Sequence, residues 1–191
     1  MSLAFNENVI YTYKDYASWN DDERWELIQG IPYCMSPAPS RMHQEISRNL
    51  FVKFANYLDG KQCKVYYSPF DVRIPIEGAS DDNIINVVQP DIVVICDKNK
   101  LDDKGCIGSP DLIIEIISPS TAKKDLNEKF SLYEQAGVTE YWVVYPYEKI
   151  IFIYSLVNGK YNEGIEYDVS KSIAVGIFDK LSIDLKDIFK E

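Results

Sequence analysis

Glu115 stands inside Asp111-Leu-Ile-Ile-Glu-Ile-Ile-Ser118, where every other interior position is Leu or Ile. A run this apolar reads as a strand buried on both faces. A carboxylate in its middle is costly to ionise alone, so it is either paired or held there to bind a cation. Asp91 opens the preceding apolar stretch, Asp91 to Cys96, directly after Gln89-Pro90, and proline fits the first position of a strand. If the two strands are neighbours, both carboxylates can converge on one divalent cation. Hard cations such as Mg2+, with Mn2+ as the alternative, take oxygen ligands, often one or two carboxylates plus water and substrate phosphate. The competing reading is a pair of buried carboxylates satisfied by Arg, Lys or backbone donors. Strongly perturbed carboxylates cluster at functional sites, which favours metal binding or catalysis for Glu115.

The segment after this strand adds cations. Ser118-Pro-Ser-Thr-Ala-Lys123-Lys124-Asp125 opens a helix, and lysines in a first turn oppose the helix dipole by roughly 0.3–1 kcal/mol each. A bound phosphate would account for Lys123 and Lys124, because helix N-termini bind anions. Two lysines pointing to water would account for them as well. Asp125 and Lys129 are four apart and share a helix face. They form either a surface ion pair of little value, or a site in which Lys129 lies over the carboxylates, orienting the attacking water and offsetting transition-state charge. His43, the only histidine, falls just inside a helix start, where a surface or capping role is usual. Glu26 interrupts Trp25-Glu-Leu-Ile28, and strand alternation predicts that it faces outward.

The elements that must position these residues follow from pattern. Thr12 to Asn20 reads as a short helix capped by Thr12. Trp25–Ile28 and Ile31–Met35 flank Gln29-Gly30 as a hairpin. Pro37, Pro39 and Ser40 break the chain, and Ser40 is an N-cap. From Arg41 to Asp59, Ile46, Leu50, Phe54 and Leu58 recur every four residues, an amphipathic helix ended by Gly60. Val65–Ser68 and Asp71–Ile76 read as strands around Pro69, residues 77–88 and 97–109 as loops, and Thr121–Ala136 as a helix stopped by Gly137. Glu140–Tyr145 and Lys149–Leu156 pair across Pro146-Tyr147-Glu148, and two further strands and a helix near Leu185–Phe189 finish the chain. This order predicts a mixed α/β sheet with helices on its faces.

Bulk properties bound the reading. The chain has 191 residues, which suits one domain over 1–191, and its 46% hydrophobic content is ample for a core. Its net charge of −10 makes it a poor non-specific binder of nucleic acid or anionic membrane. Residues 41–73 are nonetheless locally basic, with six cations against three acids. Cys34, Cys63, Cys96 and Cys106 show no C-x-x-C spacing and the chain has one histidine, which argues against a zinc site, and the scatter of the cysteines does not read as a disulfide framework. With no signal peptide and no apolar run near 18 residues, the expectation is a reduced cytoplasmic protein without membrane association. Fourteen tyrosines and three tryptophans suit strands and interfaces, including that of a homodimer.

Several stretches together resemble one family, the Uma-two endonucleases of the PD-(D/E)XK nuclease superfamily. They are Glu26-Leu-Ile-Gln-Gly30, His43 at the helix start, Gln89-Pro-Asp91, Ser109-Pro-Asp-Leu112, Glu115-Ile-Ile-Ser-Pro-Ser-Thr121, Asp125 with Lys129, and Tyr133-x-x-x-Gly137-Val-x-Glu-Tyr-Trp142. The match runs from about residue 24 to 156, and the ordered set is specific where each piece alone is weak. The resemblance implies a restriction-endonuclease-like core, a mixed β-sheet flanked by helices, with an extra N-terminal hairpin and C-terminal strands. It implies that Asp91 and Glu115 hold Mg2+ and that a lysine helps activate water for phosphodiester hydrolysis in DNA. The usual lysine follows the second acid by two positions, where this chain has Ile117, so Lys129 from the next helix is the substitute. Glu26 and His43 match auxiliary positions. Two other readings stay open: a catalytically silent nucleic-acid or protein binding module on the same fold, and a phosphoesterase for a smaller substrate.

Overall fold

The computed structural model describes every residue except 1–4, 7, 21, 36, 37, 77 and 191, so Pro37, read above as a chain breaker, lies outside the described residues. Helix α1 is a single turn, Tyr13–Tyr16, shorter than its sequence suggests. Thr12 and Asp15 close a capping box over its start, the backbone N–H of Thr12 donating to Asp15 Oδ2 at 2.8 Å. Strands β1 (Trp25–Ile28) and β2 (Ile31–Cys34) form the expected hairpin. Gln29 and Gly30 turn it with φ of 54° and 73°. A Cβ on Gly30 would lie 2.4 Å from Ile10 Cγ2, so the turn requires glycine for space as well as for its dihedral.

Helix α2, Arg41–Leu58, starts where predicted, with the Ser40 side chain accepting from His43 N at 3.2 Å. Its stripe of Ile46, Leu50, Phe54 and Leu58 is fully buried, each side chain contributing about 1.5–3 kcal/mol. Strands β3 (Lys64–Tyr67), β4 (Val72–Arg73), β5 (Val87–Val88) and β6 (Ile92–Ile95) follow. Between β6 and β9 (Leu112–Ile116), the stretch read as a polar loop holds the short strands β7 (Leu101–Asp102) and β8 (Gly105–Ile107). The helix after β9 opens as a π-helical segment, Lys124–Lys129, and continues as α3, Phe130–Ala136, which Gly137 ends at φ 84°. Strands β10 (Glu140–Tyr145) and β11 (Ile150–Val157) come next. The chain closes with β12 (Lys160–Tyr161), β13 (Ile165–Asp168), β14 (Ser172–Ala174), β15 (Ser182–Asp184) and α4 (Leu185–Ile188).

The architecture is mixed α/β. A central sheet runs β12-β11-β10-β9-β6-β3, with β13 also on β11, and a second sheet runs β2-β1-β5-β4-β8-β7. In the central sheet β9 is parallel to β10 and antiparallel to β6, so the strand that carries Glu115 and the strand that Asp91 precedes are neighbours, which meets the condition the sequence left open. Alternation divides β9 between two cores. Leu112, Ile114 and Ile116 pack with the α2 stripe, whereas Ile113 and Ile117 pack with Leu132 and Tyr133 of α3. By the same period of two, Glu115 faces the π-helical segment and α3.

Two expectations are overturned. Glu26 does not face water: every residue of β1 is buried, Leu27 packing with Tyr13 and Ile84 on one face and Glu26 meeting Lys124 and Lys129 of the π-helical segment on the other. Nor are all four cysteines thiols, since Cys63 and Cys96 form a disulfide. The antiparallel register places Lys64 opposite Ile95, so the residue before β3 meets the residue after β6. That pairing is set by strand order, which cysteine spacing does not reveal. Among the described residues no helix is long and apolar enough to cross a membrane.

Candidate active site

One cleft of about 400 Å3 opens at the end of the central sheet where β3 and β9 finish and β6 begins. Glu26, His43, Asp91, Glu115, Lys124, Asp125 and Lys129 all line it. Lys123 does not; it is exposed, and its carbonyl accepts from Asn127 Nδ2 at 2.7 Å.

Lys129 is the hub. Its Nζ lies 2.8 Å from Glu115 Oε1, 2.8 Å from Glu26 Oε1 and 3.6 Å from Asp125 Oδ1. All four side chains are buried, so this is a desolvated cluster and not the surface ion pair that spacing also allowed. Lys124 ion-pairs with Glu26, whose Oε1 also accepts from Gln89 N at 2.8 Å. The Tyr133 hydroxyl donates to Glu115 Oε1 at 2.9 Å, one helical turn beyond Lys129. Tyr133 and Gln89 were not read as site residues. The signal that could have found Tyr133 is its i+4 spacing from Lys129.

Asp91 reaches the cluster from the position just before β6. Ile92 pairs with Ile114, and one further step of that register sets Asp91 across from Glu115. Its Oδ2 accepts from Ile116 N at 2.8 Å and from His43 Nε2–H at 3.2 Å. His43 therefore contacts the first acid directly, while its backbone N–H is capped by Ser40.

Electrostatics separate the carboxylates. Burial pushes the Glu115 carboxyl up to about 8; Lys129 pulls it down, but Asp125, Asp91 and Glu26 add like charge. Burial and neighbouring Glu26 also raise Asp125, against the pull of Lys129. Burial acts on Glu26 too, but Lys129 and Lys124 together outweigh it and hold that carboxyl below its ordinary value. Burial disfavours the Lys129 ammonium, yet Glu115, Glu26 and Asp125 overcome it and keep the proton on. Burial lowers His43, but its hydrogen bond to Asp91, the Asp91 charge, the Ile116 backbone and the Asp125 charge together outweigh it and raise it. Glu26, Glu115 and Asp125 share the Lys129 ammonium, Lys124 adds a second partner to Glu26, and Asp91 faces His43.

The family model Uma2, described as putative restriction endonuclease, matches residues 12–182. The chain belongs to the Uma2 family. An uncharacterized protein of Synechocystis sp. is 33% identical over 122 residues, covering 63% of this chain and 60% of that protein. The Uma2 chain thus spans about 60% of the length of this curated relative. A solved structure from Anabaena variabilis, described as a putative nuclease belonging to DUF820, superposes with a TM-score of 0.74 at 19% identity, covering 93% of this chain and 97% of that one. The Uma2 chain therefore shares the mixed α/β fold of that structure.

The donor set of this Uma2 cleft has a defined chemistry. Among the described residues no three His, Cys, Asp or Glu side chains converge as a complete protein cage. Asp91 and Glu115 offer two oxygen donors instead. A two-carboxylate site suits a hard cation that keeps water and takes substrate phosphate.

Proposed function

We propose that this protein is a Mg2+-dependent endonuclease that hydrolyses phosphodiester bonds in DNA. The observation that carries the reading is the convergence of Asp91, Glu115 and Lys129, from two neighbouring strands and the following helix, in one cleft. Membership of a family described as putative restriction endonuclease supports the same chemistry. Asp91 and Glu115 would hold Mg2+, or Mn2+ in its place. Bound there, the ion supplies Lewis acidity toward the scissile phosphate and a more acidic water.

The chain's own residues divide the remaining work. Lys129 is too strongly held in its charged form to serve as a base. It acts as a fixed positive charge that orients the attacking water and offsets charge developing on the phosphoryl oxygens. Glu26 and Asp125 fix the lysine, which stands in for the strand lysine that Ile117 replaces. Tyr133 holds Glu115 Oε1, and His43 holds Asp91 Oδ2, so each acid keeps one orientation.

The test is supercoiled plasmid incubated with Mg2+ and the wild-type chain, Glu115→Ala or Asp91→Asn. Nicking by wild type alone is the expected result. Equal nicking by all three would sink the assignment. Calorimetric titration of Mg2+ or Mn2+ into the wild type checks the cation independently, and absence of binding would favour a silent binding module.

A further inference from the structure

The strands that frame the cleft place two aromatic side chains on either side of the acids. Strand β3 ends at Tyr67, opposite Ile92 at the start of β6, and Ile116 at the end of β9 lies opposite Val144 near the end of β10. In the strand order β10-β9-β6-β3, Tyr147 follows β10 on one flank and Tyr67 ends β3 on the other. Glu115 on β9 and Asp91 before β6 lie between them. Three strand spacings separate β10 from β3 by about 14 Å.

Both tyrosines line the cleft and both stand in water, Tyr67 59% and Tyr147 69% exposed. The Tyr67 ring is held edge-on by Phe51, with centroids 4.8 Å apart. Exposed rings at a cleft mouth make stacking platforms for planar groups.

The cleft offers little free positive charge for a phosphate backbone. Its described cations besides His43 are Arg24, Lys124 and Lys129. Lys129 and Lys124 are ion-paired with the cleft's own carboxylates, and Arg24 donates to Gln89 and Ser68. The whole chain carries −10. Duplex binders rely on Lys and Arg neutralising phosphates, a means poorly represented here. Of the two acids Glu115 is also deep, only 3% exposed. A nucleotide in an intact duplex is held in its stack, and bringing its phosphate to so recessed a carboxylate favours one that has left the stack.

Building on the nuclease reading above, we propose that the substrate is unpaired DNA, a single-stranded stretch, flap or loop, whose bases flanking the scissile phosphate stack on Tyr67 and Tyr147. Affinity then comes from base stacking more than from phosphate neutralisation.

The test measures fluorescence anisotropy of the full chain with a labelled oligodeoxynucleotide, its blunt duplex and an RNA of the same sequence, with Ca2+ replacing Mg2+. The single DNA strand should bind tightest. Tyr67→Ala and Tyr147→Ala should each weaken it roughly 5- to 150-fold, the range of one lost stack, while Tyr67→Phe and Tyr147→Phe should retain it. The slope of log K against log salt should be shallower than about −1.4, equivalent to two phosphate contacts on a single strand. Tighter binding of the duplex or the RNA, or single-strand binding indifferent to both alanine variants, overturns the proposal. A cleavage arm with Mg2+ and Glu115→Ala separates it from the nuclease reading. Tyrosine-dependent binding with no Glu115-dependent cleavage of any substrate removes the nuclease and leaves the stacking site. Glu115-dependent cleavage of duplex, with weaker binding of the single strand, does the reverse.

Discussion

Lys129 Nζ lies 2.8 Å from Glu115 Oε1, joining the middle of a buried strand to the helix that follows it. Neither side chain is tolerable alone at that depth, since an isolated buried charge costs several kcal/mol and only pairing offsets it. Together with Glu26 and Asp125 they form a site whose stability and chemistry depend on the same contacts.

Replacing the ammonium exposes that dependence. Lys129→Met leaves Glu26, Glu115 and Asp125 buried without their shared partner, and should cost about 3–5 kcal/mol in urea unfolding at pH 8. The orphaned carboxylates then have raised folded-state pKa values. Their protonation relieves the cost in acid, so the gap to wild type should narrow at pH 5. A gap that is constant from pH 5 to 8 would show that Lys129 matters by packing alone.

The pH dependence of Glu115 has a definite sign. Its folded value, about 8, lies above its ordinary value of 4.5, so the folded state holds the proton more tightly. This contribution to stability is fully present below the ordinary value and is lost as pH rises through about 8. Glu115→Gln should therefore gain stability relative to wild type on going from pH 5 to 9. Divalent-cation affinity of the wild type should rise over the same window, because a carboxylate ligand must be ionised. Tyr133→Phe removes a donor to that carboxylate and should move the rise in cation affinity to higher pH, at a stability cost of about 1.5–3 kcal/mol. Unchanged cation titrations for both variants would separate Glu115 from metal binding.

A control away from the cleft lies at Gly176. A Cβ there would meet Glu140 Oε1 at 2.1 Å, and that carboxylate also accepts from Trp142 Nε1 at 3.1 Å. Gly176→Ala should destabilise by about 1–3 kcal/mol through overpacking. Calorimetry should show a lowered Tm, while cation binding below the transition stays at the wild-type level.

The disulfide makes a separate prediction. Cys63 and Cys96 close a loop with a sequence separation of 33. Cys63→Ser should lower stability by about 2–4 kcal/mol, read from urea midpoints under oxidising conditions. Adding reductant should bring wild type to the same midpoint and leave the variant unmoved. Identical midpoints for the two proteins without reductant would argue against the bond.

Local signals carried much of the fold. The four-residue recurrence of Ile46, Leu50, Phe54 and Leu58 defines the buried face of α2, because helical period alone selects it. The Gln29-Gly30 turn and the Gly137 stop were equally legible, since each needs a positive φ that few residues adopt readily. Glu26 was misread for a physical reason: alternation assumes one wet face, and β1 has none. The β7–β8 pair lay inside a polar stretch whose short strands leave no periodic trace.

The sequence by itself determined that a carboxylate sits in a buried strand, that a second opens the strand before it, and that a lysine lies on the next helix. Those facts follow from composition and period within a dozen or so residues. The family resemblance already set Glu26 and His43 beside the site, but only the tertiary structure decided that Glu26 pairs with Lys129, that Gln89 joins it, that Tyr133 and His43 contact the two acids, and that Cys63 meets Cys96. Those contacts run between elements far apart in the chain, and strand order and register fix them. A period of 2 or 3.6 residues specifies which face a side chain occupies but not what lies across from it.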